Sequence, residues 1–303
     1  MPAEWQRLAA EGIVSEGIAL DRLTTYRMGG PARWYAEPSD HADLCRIAAA
    51  LSVEPVPVLV LGRGSNVVVS DAGFPGLVLH LGAGFAGLRM TDDAVEGGGG
   101  LPLARLARGA AREGRLGLEF LVGIPGSVGG AVRQNAGCLG SEVSDWLVDA
   151  EIFDLSTGVA DRRTPVALEL GYRHSAVGPS EIVVSARFRF RPGPVDEGEA
   201  RLLEVTRWRR THQPGGTLNA GSVFKNPPGD AAGRIIDQLG LKGFALGRVA
   251  VSTKHANFFV AEHGATAAEV HRLVAAVHRQ VLERTGIDLE PEVQFVGQFE
   301  GDS

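Results

Sequence analysis

A chain of 303 residues, 44% hydrophobic and 22% charged, can bury a real core, which excludes an intrinsically disordered protein. Its 30 Lys and Arg against 36 Asp and Glu leave a net charge of −6 and a pI near 5.8, which argues against a general nucleic-acid binder. Two cysteines, Cys45 and Cys138, are too few for a disulfide framework or a Cys-rich zinc site. No apolar run reaches the roughly 18 residues of a membrane-spanning helix, and no basic-then-apolar leader follows Met1, so the expectation is a reduced, cytoplasmic protein without membrane contact.

At roughly 100–200 residues per domain, the length predicts two or three domains. Glycine, 41 of 303 residues, is unusually abundant and gathers in short clusters, as in loops whose backbone approaches a ligand.

In chain order, residues 1–25 read as a short helical lead-in, of which 1–19 precede the first domain. Asp40 is set to cap a helix over 40–51 with Leu44, Ile47, Ala48 and Leu51 on one face. Residues 56–61 read as a buried strand ending at Gly62, and 67–69 and 77–81 as short strands around turn signals. A helix is predicted over 101–115, and glycines dominate 117–140. Strands return at 148–155 and 181–190. The Pro-, Gly- and acid-rich stretch 191–198 is the best linker. Beyond it come a charged helix at about 199–212, with Arg207, Arg209 and Arg210 on a solvated face, and a helix at 231–239. A strand near 257–260, an amphipathic helix over 266–284 and a last strand near 293–296 complete an α+β order without internal repeats.

Five clusters could carry chemistry. Leu61-Gly-Arg-Gly-Ser-Asn-Val67 lies between two strands, so Gly62 and Gly64 can turn backbone N–H groups on an anion while Ser65 and Asn66 add polar groups. It has neither the strand–GxGxxG–helix context of a dinucleotide fingerprint nor the GK[ST] of a P-loop, and alone it is equally an ordinary tight turn. Gly123-Ile-Pro-Gly-Ser-Val-Gly-Gly-Ala-Val132, followed by Asn135-Ala-Gly137, strips side chains where a diphosphate could lie on bare backbone, or where elements merely pack closely. Gly171-Tyr-Arg-His-Ser175 offers Arg173, whose planar guanidinium can hold a carboxylate in a fork. Asn219-Ala-Gly-Ser-Val-Phe-Lys-Asn-Pro227 lacks a hydrolase elbow but leaves Ser222 open as a proton donor. In Glu290-Pro-Glu-Val293, Glu292 opens the last strand. His255, His263, His271 and His278 lack ligand spacing, so no metal site is expected.

These five clusters, in this order, resemble the UDP-N-acetylenolpyruvoylglucosamine reductase (UDP-N-acetylmuramate dehydrogenase) family, FAD enzymes of peptidoglycan precursor synthesis. The resemblance runs from Thr24-Thr-Tyr-Arg-Met-Gly-Gly-Pro-Ala32 to Pro291-Glu-Val293, about nine tenths of the chain. It is most specific at Gly221-Ser-Val-Phe-Lys-Asn-Pro227 with Lys254-His-Ala-Asn-Phe258 downstream, and the short Tyr172–Ser175 turn is similar to the compact second type. It departs at Ala261, where the family carries Asn, and at His263-Gly264, where the family carries Gly-Asn.

The resemblance implies a two-part FAD-binding domain of the vanillyl-alcohol-oxidase (PCMH) type over about 20–195, in subdomains of about 20–85 and 86–195. A C-terminal α+β substrate-binding domain would follow over about 199–300. Non-covalent FAD would be held by Gly62, Arg63, Gly64, Ser65, Asn66, Pro125, Gly126, Ser127, Gly129, Gly130, Asn135 and Gly137. NADPH would reduce the flavin and leave before UDP-N-acetylglucosamine enolpyruvate enters. Hydride would then add to C3 and a proton from Ser222 to C2, with Arg173 and a protonated Glu292 on the developing enolate. Tyr172, Lys225, Asn226, Lys254 and Asn257 would contact substrate. The rival readings are other FAD oxidoreductases of the superfamily. A sugar or lactone oxidase is typically longer and often tethers FAD through His. A flavoprotein subunit of a molybdenum hydroxylase has no need of the Ser222, Arg173 and Glu292 set.

Overall fold

The structure is a computed structural model that describes residues 3–299. Residues 1–2 of the lead-in and residue 300 of the expected C-terminal domain lie outside the described residues. The chain divides into two compact units, one made of the residues up to Gly17, Trp34–Arg63 and Gly76–Arg209, the other of Ile18–Arg33, Gly64–Pro75 and the residues from Arg210 on.

In the first unit, the lead-in is a helix only over Ala3–Ala10. Gly12, at φ +77°, ends it, with Gly12 N donating to Ala9 O and Ile13 N to Leu8 O, the two bonds of a Schellman motif. The chain then runs into a strand, Val14–Ala19, where the sequence reading continued the lead-in helix. The helix His41–Val53 is capped by Asp40, whose carboxylate accepts from Asp43 N at 3.0 Å, and it buries Leu44, Ile47 and Ala48 as expected. Two sheets follow: one, most of whose residues fall in this unit, in the order Val14–Ala19, Pro31–Ala36, Phe74–Leu79, Val58–Val60, and one wholly within it, in the order Val159–Arg163, Leu147–Asp154, Glu181–Phe188, Val95–Gly98, Leu88–Met90. The second is antiparallel throughout. The helices Leu103–Arg112 and Val128–Arg133 close one core with it, through Leu106, Val128, Val132, Ile152 and Phe188.

The expected linker at 191–198 is structured instead. Arg191–Pro192 pairs with Arg115–Leu116, and the helix Val195–His212 begins inside the stretch. Its Pro and acids are a helix start, with Asp196 and Glu197 in the positively polarised first turn. Gly198 is required by close packing, since a β-carbon there would stand 2.8 Å from Leu116 Cδ2. Of the three arginines read as a solvated face, Arg207 and Arg210 are exposed, but Arg209 is half-buried and its pKa is lowered by burial.

In the second unit, Val67–Val69 pairs in parallel with Gln294–Val296. An antiparallel sheet joins Ala245–Leu246, Val249–Val251 and Phe259–Ala261. The long helix Ala267–Thr285 starts on a capping box of Thr266 and Glu269 and ends at Gly286, at φ +73°. The Asp71 carboxylate also accepts from Ala267 N and Ala268 N, at 2.9 and 3.0 Å. Tyr26, Val68, Phe224, Ile235, Phe259, Val270 and Val277 share the core. The Tyr26 hydroxyl donates to Phe259 O at 2.9 Å, and burial raises its pKa.

Candidate active site

The first unit holds a partly open cleft, the kind of concave place where small-molecule sites form. Gly62 and Arg63 of the first glycine cluster line it together with Ser127, Gly129 and Gly130 of the second. The approach is close: a β-carbon on Gly62 would stand 2.7 Å from Ser127 Oγ. Ser127 caps the helix Val128–Arg133, its Oγ accepting from Gly130 N at 3.4 Å. Pro125 and Gly126 lead into this turn, with Gly126 O accepting from Leu103 N at 3.1 Å.

Sequence reasoning passed over a third wall of the cleft, Gly99 and Gly100, although four consecutive glycines at 97–100 were a signal. A β-carbon on Gly99 would collide with Val183 O, and Gly129 N donates to Gly99 O at 2.8 Å, so these segments pack backbone to backbone. At Gly130 a β-carbon would meet only Ser127 Oγ, at 3.6 Å, and otherwise open space in the cleft. Arg133 was also missed. It lines the cleft, its Nη1 donates to Gly178 O at 2.8 Å, and burial lowers its pKa. Glu181 lies beside it, held below the usual carboxylate range chiefly by its hydrogen bond from Arg163 at 2.7 Å. Bare glycine backbone for a diphosphate, one half-buried guanidinium, and apolar walls from Val60, Leu81, Ile182 and Val183 fit a flavin dinucleotide.

Asn135 is fully buried in the same unit, at φ +41°. Its Nδ2 donates to Glu142 Oε1 and Gly171 O, and its Oδ1 accepts from Ser144 N. It thereby ties the second glycine cluster to the turn that carries Tyr172 and Arg173. That turn is closed by reciprocal backbone bonds between Gly171 and His174, both 3.1 Å. Arg173 sits at φ +53°, a left-handed conformation costing a non-glycine residue about 1–2 kcal/mol. Its guanidinium lies 5.1 Å from the ring centroid of half-exposed Tyr172. A β-carbon on Gly137 would stand 3.0 Å from Ser141 O and 3.1 Å from Glu142 Cβ, so the glycine serves the close pairing of Gly137–Cys138 with Ser141–Glu142. Burial pushes the Cys138 thiol up, and the positive charges of Arg209, Arg173 and Arg201 oppose that rise. Arg209 therefore belongs to the electropositive surroundings of this turn, which its place in an exposed-looking basic run concealed.

Gly64, Ser65 and Asn66 fall in the second unit, as do Ser222, Lys225, Asn226, Lys254, Asn257 and Glu292. The strip carrying Ser222 is held from two sides. Val223 N donates to Asn257 O at 2.8 Å, and Ser222 bridges Phe258. On the other side Glu292 N donates to Val223 O at 2.7 Å and Lys225 N to Glu290 O at 2.9 Å. Lys225 Nζ also pairs with Glu290 Oε1 at 2.6 Å. Asn226 Oδ1 accepts from Ala232 N at 3.0 Å, at the start of a helix. Lys254 is exposed, and its Nζ donates to Arg210 O at 2.6 Å. Asn257 is 3% exposed, with its amide turned onto Phe224. Ser222 and Glu292 are both half-buried.

The UDP-N-acetylenolpyruvoylglucosamine reductase C-terminal domain matches residues 213–296, and an FAD binding domain matches residues 32–160. The chain is 42% identical over 289 residues to UDP-N-acetylenolpyruvoylglucosamine reductase of Azorhizobium caulinodans, covering 94% of this chain and 92% of that one. It is 44% identical over 290 residues to that of Syntrophotalea carbinolica, covering 94% and 95%. Among solved structures it is similar to the crystal structure of UDP-N-acetylenolpyruvylglucosamine reductase from Thermus caldophilus, with a TM-score of 0.81, 38% identity, and coverage of 93% of this chain and 98% of that one. The expected α+β class, an FAD-binding domain followed by a C-terminal domain of this type, is thereby met. The chain belongs to the UDP-N-acetylenolpyruvoylglucosamine reductase family.

Proposed function

We propose that the chain is an NADPH-dependent flavoenzyme that reduces UDP-N-acetylglucosamine enolpyruvate to UDP-N-acetylmuramate in peptidoglycan precursor synthesis. The observation that carries this reading is the 2.7 Å hydrogen bond from Glu292 N to Val223 O, which sets a carboxyl group and the Ser222 hydroxyl on neighbouring strips of one unit. An oxidase of sugars or lactones has no use for that pair, and the family's C-terminal domain over 213–296 favours the reductase.

Gly62, Arg63, Ser127, Gly129, Gly130 and Arg133 would hold FAD without a covalent link, and the cofactor would supply the hydride chemistry, with NADPH as the reductant. The residues of the chain orient the substrate and manage charge and protons. Addition at C3 of the enolpyruvyl ether drives electrons through C2 into the carboxylate. Arg173, preset in its turn, grips that carboxylate with a planar fork, and Glu292 in its protonated form donates to the same group. Ser222 delivers the proton to C2. Tyr172, Lys225, Asn226 and Lys254 hold the rest of the sugar nucleotide, while Asn257 serves by fixing the Ser222 strip. The domains at about 20–195 and 199–300, the cytoplasmic location and the support of cell shape and division belong to the same proposal. Among the described residues no helix is long and apolar enough to cross a membrane.

One spectroscopic experiment tests it. Purified protein should be yellow, release all its flavin on acid precipitation, bleach anaerobically with NADPH, and regain colour on adding UDP-N-acetylglucosamine enolpyruvate. Bleaching without recovery on that substrate would contradict the assignment.

A further inference from the structure

Asn66 ends the first glycine cluster, immediately before the strand Val67–Val69. Its side chain takes a partner far along the chain: Nδ2 donates to the main-chain carbonyl of Glu292 at 2.9 Å. Its own carbonyl accepts from Gln294 N at 3.0 Å, and the parallel register that follows sets Val67 against Gln294. The peptide groups of Glu292 are therefore fixed on both sides, N–H by Val223 and C=O by Asn66, with the two partners nearly 160 positions apart in sequence.

We infer that Asn66 is a positioning residue for Glu292, so that an asparagine read from sequence as a cofactor contact sets the aim of the acid on the substrate. The inference rests on the role proposed above for Glu292. Glu292 stands two residues before the strand Gln294–Val296 rather than opening it, and its half-buried carboxyl swings with the ψ angle of its own residue. The hydrogen bond to its carbonyl stops that rotation. Misplacement of a reacting group by about 1 Å costs about a hundredfold in rate, so one main-chain bond can decide the rate without touching substrate.

The experiment is anaerobic stopped-flow on both half-reactions of the FAD-loaded enzyme, with wild type, Asn66→Ala, Asn66→Asp, Glu292→Gln and Asn66→Ala/Glu292→Gln. Asn66→Asp keeps the shape and removes the donor. Both Asn66 variants should reoxidise on the enolpyruvyl substrate at least about tenfold more slowly. Measured at saturating FAD, flavin reduction by NADPH should slow several-fold less than reoxidation, whereas a general loss of structure or of the cofactor would slow both alike. In the Glu292→Gln background, Asn66→Ala should cost less than about threefold, because the acid it aims is already gone. Equal slowing of both half-reactions at saturating FAD, a wild-type rate for Asn66→Asp, or the full Asn66→Ala penalty repeated in the double variant would each overturn the inference. Wild-type reoxidation by Glu292→Gln is a distinct result. It would remove Glu292 from the mechanism and leave Asn66 with no acid to position.

Discussion

The amide of Asn257 closes both of its hydrogen-bonding groups on one residue: its Oδ1 accepts from Phe224 N at 3.0 Å and its Nδ2 donates to Phe224 O at 2.8 Å. Phe224 is fully buried, so neither main-chain group has water as a substitute. Asn257→Leu should leave both unpaired at about 1–3 kcal/mol each. The midpoint of thermal unfolding should fall by at least about 3 °C at this chain length. An unchanged Tm would mean that water or a shifted partner takes over.

Gly130 separates cofactor binding from folding. A side chain there projects into the cleft, and within a helix leucine is favoured over glycine by roughly 1 kcal/mol. Gly130→Leu should fold as apoprotein with a Tm no lower than that of wild type, yet hold FAD at least about tenfold more weakly, since bulk replaces space used by the cofactor. Flavin fluorescence titration of the apoprotein measures the affinity. Wild-type FAD affinity would move the dinucleotide away from this wall.

Arg173→Lys keeps the charge and loses the planar fork. A bidentate charge-assisted contact is worth about 1.5–3 kcal/mol, so reoxidation of the flavin by substrate should slow about 10–100-fold while reduction by NADPH is spared. Equal slowing of both half-reactions would assign Arg173 to the nucleotide or to the turn it occupies.

Much of this was legible in sequence because it is local. Asp40 as a cap, Val67–Val69 as a strand and Thr266 as the start of a long helix follow from side chains within a few positions. The reading failed where an element is stabilised from afar. Val95–Gly98 is half glycine and owes its place in the sheet to pairing with Glu181–Phe188. Pro194, Asp196 and Glu197 resemble a linker until the packing of Gly198 on Leu116 and Ala111 makes them a helix start. In the candidate site the glycine clusters were visible as bare backbone. Arg133 and Arg209 were not, because an arginine becomes informative only when burial lowers its pKa. The bond from Asn66 to Glu292 joins residues that no window on the chain contains together.

The central claim, proton delivery by Ser222, is tested most directly by stopped-flow on Ser222→Ala. Reduction of the flavin by NADPH needs no proton at carbon, whereas reduction of the enolpyruvyl group needs one at C2. A positioned general acid contributes about 10²–10⁴-fold, so the variant should bind FAD, be reduced by NADPH at close to the wild-type rate, and reoxidise on substrate at least a hundredfold more slowly. Ser222→Cys, which retains a donor, should recover part of that rate. Reoxidation of Ser222→Ala at the wild-type rate would contradict the account and leave water as the proton source.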